Sequence, residues 1–276
     1  MMKIFIKNIV FFLVWLLYKI IPAKIRILYE NRHPNVGFLD YKKSNIKIVL
    51  NSAESLKRLQ SCKKEPETIK WIENIISENE VLYDIGANIG AYSLVACVAK
   101  NRKIKVISFE PSASTFQDLC KNIILNNMVD VIVPFNIALS SSNGFFDFIY
   151  SSFESGAASH FGLENSDKDF SRGIKSKSFK QHMITYKLDD LIAELKLPIP
   201  NHIKIDVDGH ELSVLKGATE TLHSKIIKSI QIEIDESEKE TLAIVEFLNQ
   251  HGFIIGKKNQ HLNSTIYDCI FLRGNI

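Results

Sequence analysis

Cysteine, proline and glycine are all sparse in this chain of 276 residues, which holds 4, 7 and 12 of them. Cys62, Cys97, Cys120 and Cys269 lie far apart, without the close pairs of a zinc site or the density of a disulfide framework, and read as reduced thiols. So little glycine and proline excludes collagen-like and low-complexity chains. A dominant charge is lacking too, since 34 basic residues against 31 acidic ones leave only +3. That excess sits near the N-terminus, in Lys3, Lys7, Lys19, Lys24, Arg26 and Arg32, and the slightly acidic remainder offers no global electrostatic case for nucleic acid. Long hydrophobic runs are also missing. Ile9 to Tyr18 (IVFFLVWLLY) reaches about 15 Å as a helix, half of a bilayer core. Extended over 4–21, with Lys7 and Lys19 snorkelling, it approaches a marginal span. Pro22-Ala23-Lys24 is a poor cleavage site, which weakens a removable signal peptide. Residues 1–30 are therefore expected to lie on the inner membrane surface, with a single-pass anchor or a helix packed on the protein's own core as alternatives; the rest is expected in the cytoplasm.

What is present is ordinary globular material, 46% hydrophobic and 24% charged, enough to bury a sizeable core. A short strand is expected at 46–50 and a short helix at 55–59. Pro66 and the spacing of Ile69, Ile72, Ile75 and Ile76 then predict an amphipathic helix over 67–76. From residue 81 onward the pattern alternates. Strands are expected at 81–85, 104–109, 129–139, 202–207, 229–234, 253–255 and 266–272, and helices at 91–100, 115–126, 211–222 and 238–250. This predicts an α/β fold whose mostly parallel sheet is covered by helices on both faces. The organisation is an N-terminal segment at 1–30, a lead-in at 31–80 and a domain at 81–276. Within that domain, 140–183 is rich in Ser, Gly and charge and reads as an insertion, either solvated or covering the substrate side.

The chemistry concentrates in the first strand-turn-helix, at Asp84-Ile85-Gly86-Ala87-Asn88-Ile89-Gly90. In open α/β sheets, ligands bind at the carboxyl ends of the strands, where a glycine turn lets backbone approach them. The glycines do not follow G-x-G-x-x-G, and Asp84 puts a carboxylate beside the turn. That charge would repel a dinucleotide pyrophosphate and attract an ammonium and a sulfonium, so its sign favours S-adenosyl-L-methionine (SAM) over NAD. Glu110, ending the next strand, can accept both hydroxyls of a ribose, and Asn136 can offer its amide to an adenine edge.

The stretches DIGANIGAYS, FEPSASTFQDLCKNIILNN, NIALSSSNG, SGAAS, YKLDDLI and IKIDVDGHELSVLKGA resemble, in order and spacing, the FkbM-type methyltransferases, a family of class I SAM-dependent enzymes. The resemblance covers roughly residues 60–255. It implies the seven-stranded Rossmann-like methyltransferase fold with its last strand antiparallel, and O-methylation of a saccharide, glycolipid or related hydroxyl. It also implies that Asp84, Gly86, Asn88 and Gly90 form the methionine-binding turn and that Glu110 binds the ribose. Where the family commonly has I-D-V-E-G, this chain has Asp208 in Ile205-Asp206-Val207-Asp208-Gly209, the same charge on a side chain one methylene shorter.

Methyl transfer to a hydroxyl needs the acceptor aligned with the donor and gains from a base in hydrogen-bond reach. Asp206 at the strand end and His210 in the following turn are the first candidates. Asp208 and Glu211 share that turn, with helix capping as their competing role. Asp206, Asp208, Glu233 and Asp235 all fall at strand ends and suggest an oxygen-ligated Mg²⁺, but no metal is assigned. The expected partner is a small-molecule or glycan acceptor. N-methylation of nucleic acid or protein, nicotinamide-dependent oxidoreduction and a non-catalytic scaffold are the alternatives; the [DN]-P-P-[YF] tetrapeptide of many nucleobase N-methyltransferases is absent.

Overall fold

The structure is a computed structural model that describes residues 20–22, 24–25, 34–150, 155–156, 161–162, 179–237, 240–261 and 264–274. It divides into two units, Met1–Val36 and Gly37–Ile276. In the first, Ile20, Ile21 and Ile25 are exposed, and the rest of the expected membrane segment at 4–21 lies outside the described residues. Among the described residues, no helix is long and apolar enough to cross a membrane.

Strands β1 (Val36–Phe38) and β2 (Lys47–Val49) form a two-stranded ribbon. Three short helices follow: α1 (Ala53–Arg58), α2 (Ser61–Lys64) and α3 (Pro66–Asn74). Ser52 caps α1 by accepting from Ser55 N, and Pro66 opens α3, where its missing N–H goes unused. The expected alternation then appears: β3 (Val81–Ile85), α4 (Ala91–Ala99), β4 (Lys105–Phe109), α5 (Ala113–Leu125) and β5 (Ile132–Phe135). Strands β6 (Ala138–Leu139), β7 (Gly144–Tyr150), β8 (Phe161–Gly162) and β9 (Phe179–Tyr186) form a separate four-stranded sheet. The chain continues through α6 (Leu188–Leu195), β10 (His202–Ile205), α7 (Glu211–Lys216) and α8 (Thr219–His223). It closes with β11 (Ser229–Asp235), α9 (Thr241–Gln250), β12 (Phe253–Gln260) and β13 (Ile266–Arg273).

The main sheet has seven strands in the order β12-β13-β11-β10-β3-β4-β5. Its β11, β10, β3, β4 and β5 pair in parallel, while β13 runs antiparallel to both β11 and β12, giving the expected Rossmann-like α/β arrangement. Pro134, which cannot donate to a ladder, sits in the edge strand β5. One face packs Leu82, Val106 and Ile132 against Trp71, Leu94 and Leu119; the other packs Tyr83, Ile107, Ile203 and Ile230 against Leu191, Leu215 and Leu248. Burial on both faces explains why these strands read as continuous apolar runs.

Two expectations need correction. The strand expected over 129–139 is two strands, because the chain leaves the main sheet after Phe135 and β6 pairs instead with β9. The helix expected over 211–222 breaks at Gly217, where the chain passes so close to Ser140 that an added Cβ would lie 2.0 Å from its carbonyl oxygen. Helix α6 was not foreseen; Asp189 on it accepts from the N–H groups of Glu220 and Thr221 at 2.9 and 2.8 Å and so caps α8 from a distant segment.

Candidate active site

Strand order reverses between β3 and β10, and a cleft opens at their carboxyl ends. The turn after β3 forms its floor. Gly86 and Gly90 have φ of 78° and 87°, and Asn88 is also left-handed at 52°, a conformation that Asn tolerates better than most residues. Neighbouring backbone also requires glycine at Gly86, and a side-chain methyl crowds Gly90. A Cβ at Gly86 would lie 1.8 Å from Asp206 O, and one at Gly90 would lie 2.5 Å from Leu119 Cδ1.

Glu110 lies in the cleft wall, nearly buried. Its Oε2 accepts from Asn88 N at 2.9 Å and its Oε1 from Ser112 N at 2.8 Å, which fixes the carboxylate across the turn. Each oxygen can accept a second bond, so the group suits a pair of ribose hydroxyls. Burial pushes its pKa up to about 7 against the pull of those N–H groups. The charged form is the better acceptor, so affinity for S-adenosylhomocysteine should tighten about tenfold between pH 6 and pH 8. Glu110→Gln should weaken that affinity by about 10- to 100-fold and flatten the pH dependence, as isothermal calorimetry would read. The stability effect has the opposite sign: a carboxyl whose pKa is raised on folding opposes folding once pH exceeds its unfolded value near 4.5, and does so fully above about 7.

Two sequence candidates lie elsewhere. Asp84 is fully buried behind the floor, in register with Ser108 and Lys204, and is not among the residues lining the cleft. Its Oδ2 accepts from Ser93 Oγ at 2.5 Å, and burial holds its carboxyl above the usual range despite the Lys204 charge. Strand alternation turns it toward α4 rather than toward a ligand. Asn136 also stays out of the cleft. Its Nδ2 donates to Glu110 O at 2.9 Å and Pro111 O at 3.0 Å, so neither amide proton is left for an adenine edge. The cleft's acidic wall is instead built by Glu110, Asp206, Asp208 and Glu233.

On the opposite rim, Asp206, Asp208 and His210 all line the cleft. Asp206 Oδ2 accepts from Lys204 Nζ at 3.0 Å; burial opposes ionisation, yet the Lys204 charge holds the carboxyl below its ordinary value. Asp208 has φ of 53°, a left-handed position that suits the shorter carboxylate better than a longer side chain. His210 is exposed, stands at the N-cap of α7, and its ring meets Phe146 of β7 edge-on at 6.0 Å. Glu211 is absent from the lining: its Oε1 accepts from Val207 N and Gly209 N, both at 3.2 Å, so it shapes the turn.

Several wall residues carry no local signal in the sequence. Arg58 of α1 and Lys64 of α2 line the cleft from the lead-in, with Arg58 Nε donating to Gly156 O at 2.9 Å and Lys64 Nζ 3.4 Å from Glu65 Oε1. Phe146, Met183 and Thr185 come from the smaller sheet within and beside the insertion. Glu233, weighed before only as a metal ligand, faces the cleft, and burial together with the Asp206 charge pushes its pKa up to about 9. Lys204 could have been noticed, because a lysine inside an apolar parallel strand is anomalous.

Residues 84–255 match the family model described as the Methyltransferase FkbM domain. The chain is 29% identical over 222 residues to the hexuronic acid methyltransferase AglP of Haloferax volcanii, covering 77% of this chain and 84% of that protein. It is 26% identical over 203 residues to methyltransferase sdnD of Sordaria araneosa, covering 65% and 76% respectively. Among solved structures, the FkbM methyltransferase of Methylobacillus flagellatus KT aligns with a TM-score of 0.49 at 18% identity over 71% of this chain; the match spans 44% of that chain, less than half its length.

Proposed function

The chain belongs to the FkbM family of SAM-dependent methyltransferases, and from that premise we propose that it methylates a hydroxyl of a saccharide, in particular one bearing a carboxylate. An oxidoreductase role falls away with the family. The observation that carries the reading is the lining of the cleft, which joins oxygen acceptors (Ser61, Thr185, Asp208), an aromatic ring (Phe146) and two cations, Arg58 and Lys64. Hydroxyls and one face of a sugar ring suit the first two; a uronate carboxylate suits the cations. The similarity to a hexuronic acid methyltransferase supports the same class of acceptor.

When bound, SAM supplies an electrophilic methyl group on a sulfonium. The chain's own residues supply position and a proton acceptor. Glu110 and the left-handed turn hold the nucleoside end, His210 takes the proton of the reacting hydroxyl, and Asp206 accepts a hydrogen bond from a neighbouring hydroxyl of the acceptor. The test is incubation of the full chain with SAM and a panel of neutral saccharides, uronate-bearing saccharides, peptides and oligonucleotides, read by mass spectrometry. The expected product is a uronate-bearing saccharide heavier by one CH₂, in linkage to oxygen. Methylation confined to an amine of a peptide or a base would overturn the proposal.

A further inference from the structure

A second cluster lies one strand beyond the cleft. Strands β11 and β13 are antiparallel, with Glu233 directly opposite Asp268, and β12 places Asn259 on the other side of Asp268 and is followed by His261. Ligand atoms of Glu233, His261 and Asp268 all lie within 4.8 Å of one another. Asp268 is 3% exposed, and its Oδ2 is 2.9 Å from His261 Nε2. Gln231, two residues before Glu233 and on the same face of β11, is 1% exposed; its Nε2 donates to Asp268 Oδ1 at 3.3 Å, which leaves its buried Oε1 beside the cluster with no donor. The metal quartet considered from sequence divides here. Asp235, at the end of β11, is engaged with the following turn and accepts from Ser237 N and Thr265 Oγ1, whereas Glu233 lies with His261 and Asp268.

From this convergence we propose that Glu233, His261 and Asp268 form a divalent-cation site beside the methyl-transfer cleft. The nearby buried cation, Lys204, is ion-paired with Asp206 rather than with this cluster. One imidazole and two carboxylates make a mixed nitrogen and oxygen set that suits Mn²⁺ or Zn²⁺ better than Mg²⁺. Bonds of about 2.0–2.2 Å place two ligands at most about 4.4 Å apart, so side-chain rotations of a few tenths of an ångström close the site. The ion replaces the proton between His261 and Asp268, and the Gln231 carbonyl receives a metal-bound water. Glu233 also lines the cleft, so an ion there would withdraw charge from an acceptor oxygen and ease loss of its proton. That consequence rests on the hydroxyl-transfer reading; the binding does not.

The test is calorimetric titration of the full chain, saturated with S-adenosylhomocysteine and free of acceptor, with Mn²⁺ and separately with Zn²⁺. One ion per chain is expected. Glu233→Gln and Asp268→Asn should each weaken it by at least about tenfold, and with Asp268→Asn, which lies outside the cleft lining, the heat of S-adenosylhomocysteine binding stays unchanged. If Asp268→Asn fails to fold, His261→Gln serves in its place. No saturable binding of either ion, or binding indifferent to these substitutions, overturns the proposal. A chain that binds no ion yet methylates a saccharide removes this inference alone; one that binds the ion but methylates no saccharide removes only the acceptor assignment.

Discussion

Replacing His210 with alanine should lower kcat by about 10²- to 10⁴-fold and leave the affinity for S-adenosylhomocysteine within a factor of a few. His210, Asp206 and Asp208 share the rim of the cleft, but they are not equivalent proton acceptors. Asp206 is ion-paired to the buried Lys204 at 3.0 Å, which stabilises its anion and makes it a better hydrogen-bond acceptor than base. Asp208 is exposed in a left-handed turn, and Glu211 is tied to the backbone of that turn. His210 carries the imidazole that general-base chemistry most often uses, and Phe146 holds its ring from across the cleft. Steady-state kinetics on the methylated saccharide, beside calorimetry of cofactor binding, would check it. Should Asp206→Asn give the large drop while His210→Ala keeps near-normal turnover, the carboxylate is the base and the imidazole only packs.

The second large effect should come from Lys204→Met, which keeps most of the volume and removes the charge. Lys204 is 1% exposed, lies 4.9 Å over the Tyr92 ring centroid, and stands in register between Asp84 and Gln231. Burial alone would pull its ammonium toward neutrality; the carboxylates of Asp206, Glu65 and Asp84 outweigh that and hold it charged. Without it, buried Asp84 and half-buried Asp206 lose their shared cation, at a cost of about 3–5 kcal/mol. Urea denaturation should show the midpoint falling with the slope unchanged. The pH dependence identifies the cause. In the wild type, the lowered pKa of Asp206 contributes stability above its ordinary value of 3.8 and loses it as pH falls further. In the variant that contribution is gone, so the gap between the two proteins should narrow in acid. A loss under about 1 kcal/mol, constant with pH, would show that the buried charges are compensated in another way.

Much of the fold was readable because its signals are local. Apolar runs bounded by turns marked the parallel strands, Pro66 marked the start of α3, and the glycine turn between β3 and α4 was legible as a place where backbone can approach a ligand. Glu110 was legible for the same reason, since a carboxylate directly after a strand in an α/β alternation lies at the ligand end of the sheet. Where close approach between distant segments decided the outcome, local pattern failed. Helix α7 stops at Gly217 because Ser140 passes there, and α8 is capped by Asp189 from another helix.

By itself, then, the sequence determined the alternating α/β layout, the switch-point turn and the identity of the polar groups at the strand ends. Tertiary structure alone decided which of those groups meet a ligand. Strands buried on both faces carry no polar-apolar alternation to reveal their orientation, so nothing local distinguishes Asp84, turned into the core, from Asp206, turned into the cleft. The same holds for groups that meet only through pairing. Arg58 and Lys64 reach the cleft from the lead-in, and Glu233 meets Asp268 because two distant strands pair antiparallel in one register. Register and chain crossing are set by the packing of the whole domain, and no window of sequence contains both partners.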